Sequence, residues 1–273
     1  MENNYILITG GAGSIGSELV RQLAPKNTIH IIDIDETRMF DLVEEMRLAG
    51  YKVTGEVFDV RNKYGFRHGS NYPNIIFHCA ARKHVTPMED TPMEAVEVNI
   101  VGTHNVLWLA RKVGARLINI STDKVVNADC IMGATKRVAE LMVKNAGDVS
   151  VRFGNIMGSR GSVIPIWQKQ LDEGKSLTVT DPLMTRYMMT IEDACALVIQ
   201  VAQTEGLEGK VIVLDMGKPI EILQLAKEIL KKSGRPIDDF KLIGRRPGEQ
   251  LKEKLMSEEE EKRAIKKNNF FII

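Results

Sequence analysis

The sequence predicts an α/β protein built on a doubly wound parallel sheet, and three observations predict it. Short apolar runs alternate with helical patterns from Tyr5 to about Arg152. Several of those runs are apolar at consecutive positions, as parallel strands covered on both faces require. A glycine-rich turn stands between the first run and the first helix.

Taken in order, strands are predicted at Tyr5–Thr9, Thr28–Asp33, Lys52–Asp59, Asn74–His78, Arg116–Ser121 and Val149–Arg152. Helices are predicted between them at Ser14–Leu23, Thr37–Ala49, Pro92–Val113 and Gly133–Asn145. Pro92 suits a first helical turn, where its missing N–H costs nothing. Gly50 and Gly114 suit the residue just past a helix end. Arg61–Tyr72 breaks the alternation with glycines and polar residues, so a loop or a degraded helix is expected there. Beyond Phe153 the alternation weakens. Helices at Ile164–Asp172, Thr190–Gln203 and Pro219–Lys232 and a strand at Lys210–Asp215 remain legible. Residues 1–152 therefore read as the main domain. Residues 153–273 read as a smaller lobe, interleaved with it, that closes over the carboxyl edge of the sheet. Ser257–Lys267 reads as a solvated helix face, and Phe270–Ile273 as a covered edge strand or an oligomer contact.

The 273 residues carry 37 Lys and Arg against 36 Asp and Glu. A net charge of +1 gives no bulk drive toward nucleic acid or an anionic membrane. No apolar run reaches the roughly 18 residues of a membrane span, and no basic-then-apolar leader precedes Tyr5. A soluble, cytoplasmic protein is expected, without nucleic acid and without membrane insertion. Cys79, Cys130 and Cys195 are odd in number and widely spaced, which agrees with a reducing compartment. His78, His84 and His104 share no metal-ligand spacing, so no metal is expected. Met184, Met188 and Met189 read as core or pocket lining.

Thr9-Gly10-Gly11-Ala12-Gly13-Ser14-Ile15-Gly16 satisfies both G-x-x-G-x-x-G and G-x-G-x-x-G. Glycines there permit a tight turn and close approach to a pyrophosphate, with the next helix's N-terminus behind it. Gly10, Gly13, Ser14, Ile15 and Gly16 are thus candidate cofactor contacts in a Rossmann-like fold. Asp33 stands about 20 residues further on, at the end of the second strand, where a carboxylate binds adenosine ribose hydroxyls. A carboxylate repels a 2′-phosphate, so NAD is favoured. Arg38 nearby leaves NADP as the alternative. Asp59 and Val60, at the end of the third strand, are placed to meet the adenine.

Ser121-Thr122-Asp123-Lys124 lies at the carboxyl edge of the sheet, and Met132-Gly-Ala-Thr-Lys136 opens the helix that follows. At four-residue spacing Met132 and Lys136 share a helix face. Together with the glycine turn, His78–Val85 and Asn99 with Gly102-Thr103, these motifs resemble the extended short-chain dehydrogenase/reductases. Met132–Arg137, Val151–Asn155, Gly158–Pro165, Thr185–Tyr187 and Arg246–Glu249 resemble, more narrowly, the polysaccharide-biosynthesis UDP-N-acetylglucosamine 4,6-dehydratases. Most of the superfamily uses a Tyr-x-x-x-Lys pair. Met132 occupies the tyrosine position here, as in some members of that narrower group, and a thioether cannot exchange a proton.

The resemblance implies a tightly bound, recycled NAD(P) and a chemistry of three events. These are oxidation at C4, loss of the C5 proton and C6 hydroxyl, and hydride return to C6. It implies Lys136 on the nicotinamide ribose, Thr122 on the C4 hydroxyl, Lys124 as a C5 base of lowered pKa, and a protonated Asp123 as acid toward the C6 hydroxyl. Ala80, Ala81, Lys83 and Asn99 are implied near the cofactor. Lys83, Met132, Asn155, Ser159, Val163 and Glu249 are implied near the UDP-sugar. Arg160, Arg186 and Arg246 are candidates for its pyrophosphate, since guanidinium forks match phosphate oxygens. A homo-oligomer through Pro92–Val113 and Gly133–Asn145 is the superfamily habit. Two other classes stay open, a UDP-sugar 4-epimerase, which needs no C5 base, and a noncatalytic NAD(P)-binding module.

Overall fold

The computed structural model describes residues 1–66 and 72–273. Its sheet contains β1 (Tyr5–Thr9), β2 (Thr28–Asp33), β3 (Val53–Val57), β4 (Ile75–His78), β5 (Arg116–Ile120) and β6 (Val149–Arg152). Among the described residues it has nine strands. Their order is Ile265–Lys267, Phe270–Ile272, Val211–Leu214, β6, β5, β4, β1, β2, β3. β1 pairs in parallel with β2 (Ile6 opposite Ile29) and with β4 (Ile6 opposite Ile75), so the strand order reverses beside it. Ligands of open α/β sheets bind outside such a switch point.

Alternation along the strands sorts the core into two layers. Ile6, Ile8, Ile29, Ile31 and Phe77 pack on one face against Leu19, Val20 and Leu23 of α1 (Ser14–Leu23) and against Val198 of the Ile191–Gln203 helix. Leu7, Ile32, Ile76 and Leu117 pack on the other against Val106 and Leu109 of the Thr103–Val113 helix. A separate cluster of Trp167, Leu177, Val179, Met184, Ile222 and Leu230 forms a smaller apolar core.

Three local expectations need correction. The predicted Pro92–Val113 helix is not uniform, because its turns widen into a π-helix over Val96–Gly102. Asn99, on that stretch, bonds away from its own helix to the backbone of Arg82 and to Thr135. The Lys210–Asp215 strand, observed at Val211–Leu214, joins β6 in parallel, so residues beyond 152 extend the main sheet. Phe270–Ile272 is not an edge strand, since Ile265–Lys267 covers it antiparallel and Phe270 is fully buried. Of the Ser257–Lys267 charge run, only Glu258–Arg263 is helical, closed by a capping box from Ser257 and Glu260. The Arg61–Tyr72 expectation is met by non-helical chain over 61–66, and its residues 67–71 lie outside the described residues. Among the described residues no helix is long and apolar enough to cross a membrane.

Candidate active site

A cleft of about 800 Å³ opens at the switch point. Asp33, Asp59 and Val60 line one end, and Thr122, Lys124, Met132 and Lys136 line the other. The residues between them fit a dinucleotide. Gly10 has φ +65°, and a Cβ there would stand 2.6 Å from the Ala80 nitrogen. A Cβ on Gly16 would run into the Gly10 carbonyl and stand 2.7 Å from Gly11 Cα. Only glycine lets α1 press against the turn this closely. No side chain caps α1 and no acid stands in its first turn. Its N–H groups and the positive end of its dipole thus remain for a phosphate. Asp33 accepts from the Ala12 N–H through Oδ2 at 2.9 Å and from the Asp35 N–H through Oδ1 at 3.0 Å, tying β2 to the turn. Ser14, Ile15, Ala80, Ala81 and Lys83 line the same cleft, whereas Asn99 is buried behind it and holds the Arg82 backbone.

At the other end, Lys136 Nζ donates to the Ile120 carbonyl at 2.5 Å, and burial brings its pKa down to about 8. His78 is buried between Thr9 Oγ1 at 2.7 Å and Thr103 Oγ1 at 3.0 Å, and burial pushes it down to about 3, so it is neutral. Among the described residues no group of side chains could hold a metal ion, and no tyrosine lines the cleft. At this end of the cleft lies a buried cluster of groups able to exchange protons. Thr122 Oγ1 donates to Asp123 Oδ1 at 3.0 Å, and Lys124 Nζ donates to the same oxygen at 3.0 Å. Lys124 Nζ also lies 2.9 Å from Glu253 Oε1 and donates to Asn155 Oδ1 at 3.4 Å.

The charge states implied by the resemblance are reversed here. Burial pulls the Lys124 ammonium down, but Asp123 and Glu253 more than offset it, so its pKa is raised rather than lowered. Burial likewise pushes Asp123 up, but Lys124 and its hydrogen-bond donors outweigh that, and it stands below the ordinary carboxylate range. Glu253, driven mainly by burial, stands above it. Of the two carboxyls, Glu253 is the one that burial favours in its neutral form.

The three arginines part company. Arg160 lies against the glycine turn. Its N–H donates to Ser14 Oγ at 3.1 Å, its guanidinium bonds the Ala12 carbonyl, and its own carbonyl accepts from Lys83 Nζ at 2.8 Å. Arg186 is buried and spends its donors on the carbonyls of Thr185, Gln250 and Leu251, with Nε 3.3 Å from Glu253. Arg246 is exposed and lines a second pocket of about 230 Å³ with Val163 and Glu249. Asn155 and Ser159 border both cavities, so the two are adjacent.

A family model described as "Polysaccharide biosynthesis protein" matches residues 6–273. The chain belongs to the polysaccharide biosynthesis protein family. The capsular polysaccharide biosynthesis protein CapD of Staphylococcus aureus is 41% identical over 278 residues, 95% of this chain and 46% of CapD. The chain therefore spans about half the length of that relative. A UDP-glucose 4-epimerase of Rickettsia rickettsii is 34% identical over 285 residues, 98% of this chain and 82% of that protein. Among solved structures, Pen from Bacillus thuringiensis matches with TM-score 0.92 at 32% identity, covering 100% of this chain and 89% of Pen.

Sequence reasoning missed one residue of the site in this polysaccharide biosynthesis protein, Glu253. It follows the Arg246–Glu249 motif by four residues inside a run of charge, Lys252-Glu253-Lys254, that reads as surface. The available signal was Leu251 and Leu255 on either side, the alternation of a chain whose middle residue turns inward.

Proposed function

We propose that this chain carries the active site of a nucleotide-sugar 4,6-dehydratase that acts on UDP-N-acetylglucosamine with recycled NAD, with NADP as the alternative cofactor. One observation carries the reading. The cleft has no tyrosine among its described lining residues, yet beside Lys136 it is lined by Lys124, whose ammonium contacts two carboxyls, Asp123 and Glu253, buried just behind it. An epimerase needs only one acid/base group, to take and return the C4 hydroxyl proton. An elimination across C5 and C6 needs both a base and an acid.

When bound, the nicotinamide supplies hydride acceptance at C4 and hydride return at C6. Lys136 orients its ribose, and Thr122 holds the C4 hydroxyl. The C4 ketone acidifies C5–H. From the resting ion pair, Lys124 passes a proton across 3.0 Å to Asp123, which leaves an amine and a carboxylic acid. The amine then takes the C5 proton and the acid protonates the leaving C6 hydroxyl as water. The ammonium and carboxylate are restored in that step. Lys124 then gives a proton back to C5 as hydride reaches C6, and the proton set free from the C4 hydroxyl at oxidation recharges it. Exchange with solvent meanwhile places deuterium at C5. Arg246 and Glu249, on the smaller pocket, suit the nucleotide end of the sugar. Met93, Val101, Val138 and Leu141 leave apolar surface exposed on the helices of an expected homodimer, and light scattering showing only monomer would reject that pairing.

The test is turnover of UDP-N-acetylglucosamine in deuterated water, followed by mass spectrometry and NMR. Loss of one water with deuterium at C5 is the expected product. The second reading, a UDP-sugar 4-epimerase, is favoured by the Rickettsia relative, which matches 98% of this chain under that name. An isomer of unchanged mass without deuterium would establish it. Bound NAD(P) without turnover of any UDP-sugar would leave a binding module.

A further inference from the structure

Asp123 Oδ2 is buried and has no hydrogen-bond donor among the described residues. Its other oxygen already takes Thr122 and Lys124. Glu253 and Asp123 share the Lys124 ammonium, at 2.9 and 3.0 Å, which brings the two buried carboxyls together. Two carboxylates cannot bond each other, since each is acceptor only, unless one of them carries a proton. A buried acceptor left without a donor is costly, and a proton between the carboxyls supplies one.

We propose that Glu253 is a positioning residue that holds a proton for Asp123, so that Lys124 keeps one carboxylate partner and not two. With Glu253 neutral, Lys124 faces a single negative charge and can pass a proton to it ahead of elimination. With Glu253 ionised, Lys124 is held as an ammonium between two anions and cannot become the base. The titratable and charged groups facing Glu253 are Asp123, Lys124, Arg186 and Cys130, with Glu249 behind Arg186 at 3.9 Å, and Asn155 Nδ2 donates to Glu253 Oε2 at 3.4 Å. Arg186 opposes the proton on Glu253, but its other donors are committed to backbone carbonyls. Burial of Glu253 acts the other way and prevails.

The consequence for turnover rests on the dehydratase reading; the proton on Glu253 does not. Infrared difference spectra of the cofactor-loaded protein at neutral pH, wild type against Glu253→Gln, read the proton directly. A carbonyl band of a buried carboxylic acid is expected in the wild type and absent from the variant. No such band in the wild type would overturn the proposal. The pH profile of C5 deuterium incorporation then reads the consequence. The wild type should lose rate as Glu253 ionises, and Glu253→Gln, whose amide can donate to Asp123 and accept from Lys124, should lose that limb. Lys136 titrates in both proteins, so the difference isolates Glu253. Glu253→Ala should lower kcat more than tenfold with little change in KM, and Gln should recover most of that loss. Gln and Ala falling equally, or superimposable pH limbs, would overturn it. A band lost in Glu253→Gln together with no deuterium at C5 in the wild type would uphold the protonated Glu253 and sink the dehydratase reading alone.

Discussion

The backbone N–H of Arg160 donates to Ser14 Oγ at 3.1 Å, which fastens the loop after β6 to the first residue of α1. The Arg160 guanidinium reaches the Ala12 carbonyl from the same loop, and Lys83 Nζ braces its carbonyl. A cofactor pyrophosphate on the glycine turn would lie under this fastening. Arg160→Ala removes a charged hydrogen-bond donor, a group generally worth about 1.5–3 kcal/mol. The variant should keep its fold and retain NAD(P) at least about tenfold less tightly. Cofactor content after gel filtration, compared with the wild type, checks this; equal retention would reject it.

Gly16→Ala should abolish cofactor binding. Its Cβ meets the Gly10 carbonyl and the Gly11 Cα, both backbone, so neither can swing aside. Overpacking of this kind costs about 1–3 kcal/mol, and relief must come from moving α1 off the turn. Calorimetric titration with NAD and NADP would show it, with thermal unfolding run beside it to separate lost binding from lost folding.

Arg152 is completely buried between Glu140 and Glu260, at 2.7 and 2.8 Å. Glu140 also accepts from Ser121, one residue before Thr122, so this network supports the floor of the site. Arg152→Met leaves two carboxylates facing an apolar side chain. A loss of about 3–5 kcal/mol is expected, because breaking a buried pair strands its partner. Urea unfolding gives the number, and a loss below about 1 kcal/mol would refute the assignment.

Lys136 should make stability depend on pH. Its folded pKa of about 8 lies below the roughly 10.4 of an unfolded lysine. Between those values the unfolded chain binds a proton that the native state has released, so stability rises with pH across that window. Below about 8 the cost of a buried ammonium is present in full. The slope is at most about 1.4 kcal/mol per pH unit. Lys136→Met should remove this contribution, so the difference between the two unfolding curves from pH 8 to 10 isolates it; parallel curves would contradict it.

Much of this protein was determined by sequence alone. β1, β2, β6 and α1 fall where the apolar period and the glycine turn put them, because each depends on residues adjacent in the chain. Thr122, Lys124, Met132 and Lys136 share one cleft for the same reason, being carried by the end of one strand and the start of the next helix. Tertiary structure decided the rest. Glu253 meets Lys124 across more than a hundred residues of chain, and no local pattern encodes that meeting. Which carboxyl keeps a proton, and whether the lysine starts as acid or base, depends on burial and on what charge stands within a few ångströms. The same holds for the arginines, alike in sequence: one clasps the glycine turn, one braces a backbone segment, and one is exposed at the smaller pocket. Side-chain identity supplies a charge, but only the fold supplies its neighbours, and the neighbours set what that charge can do.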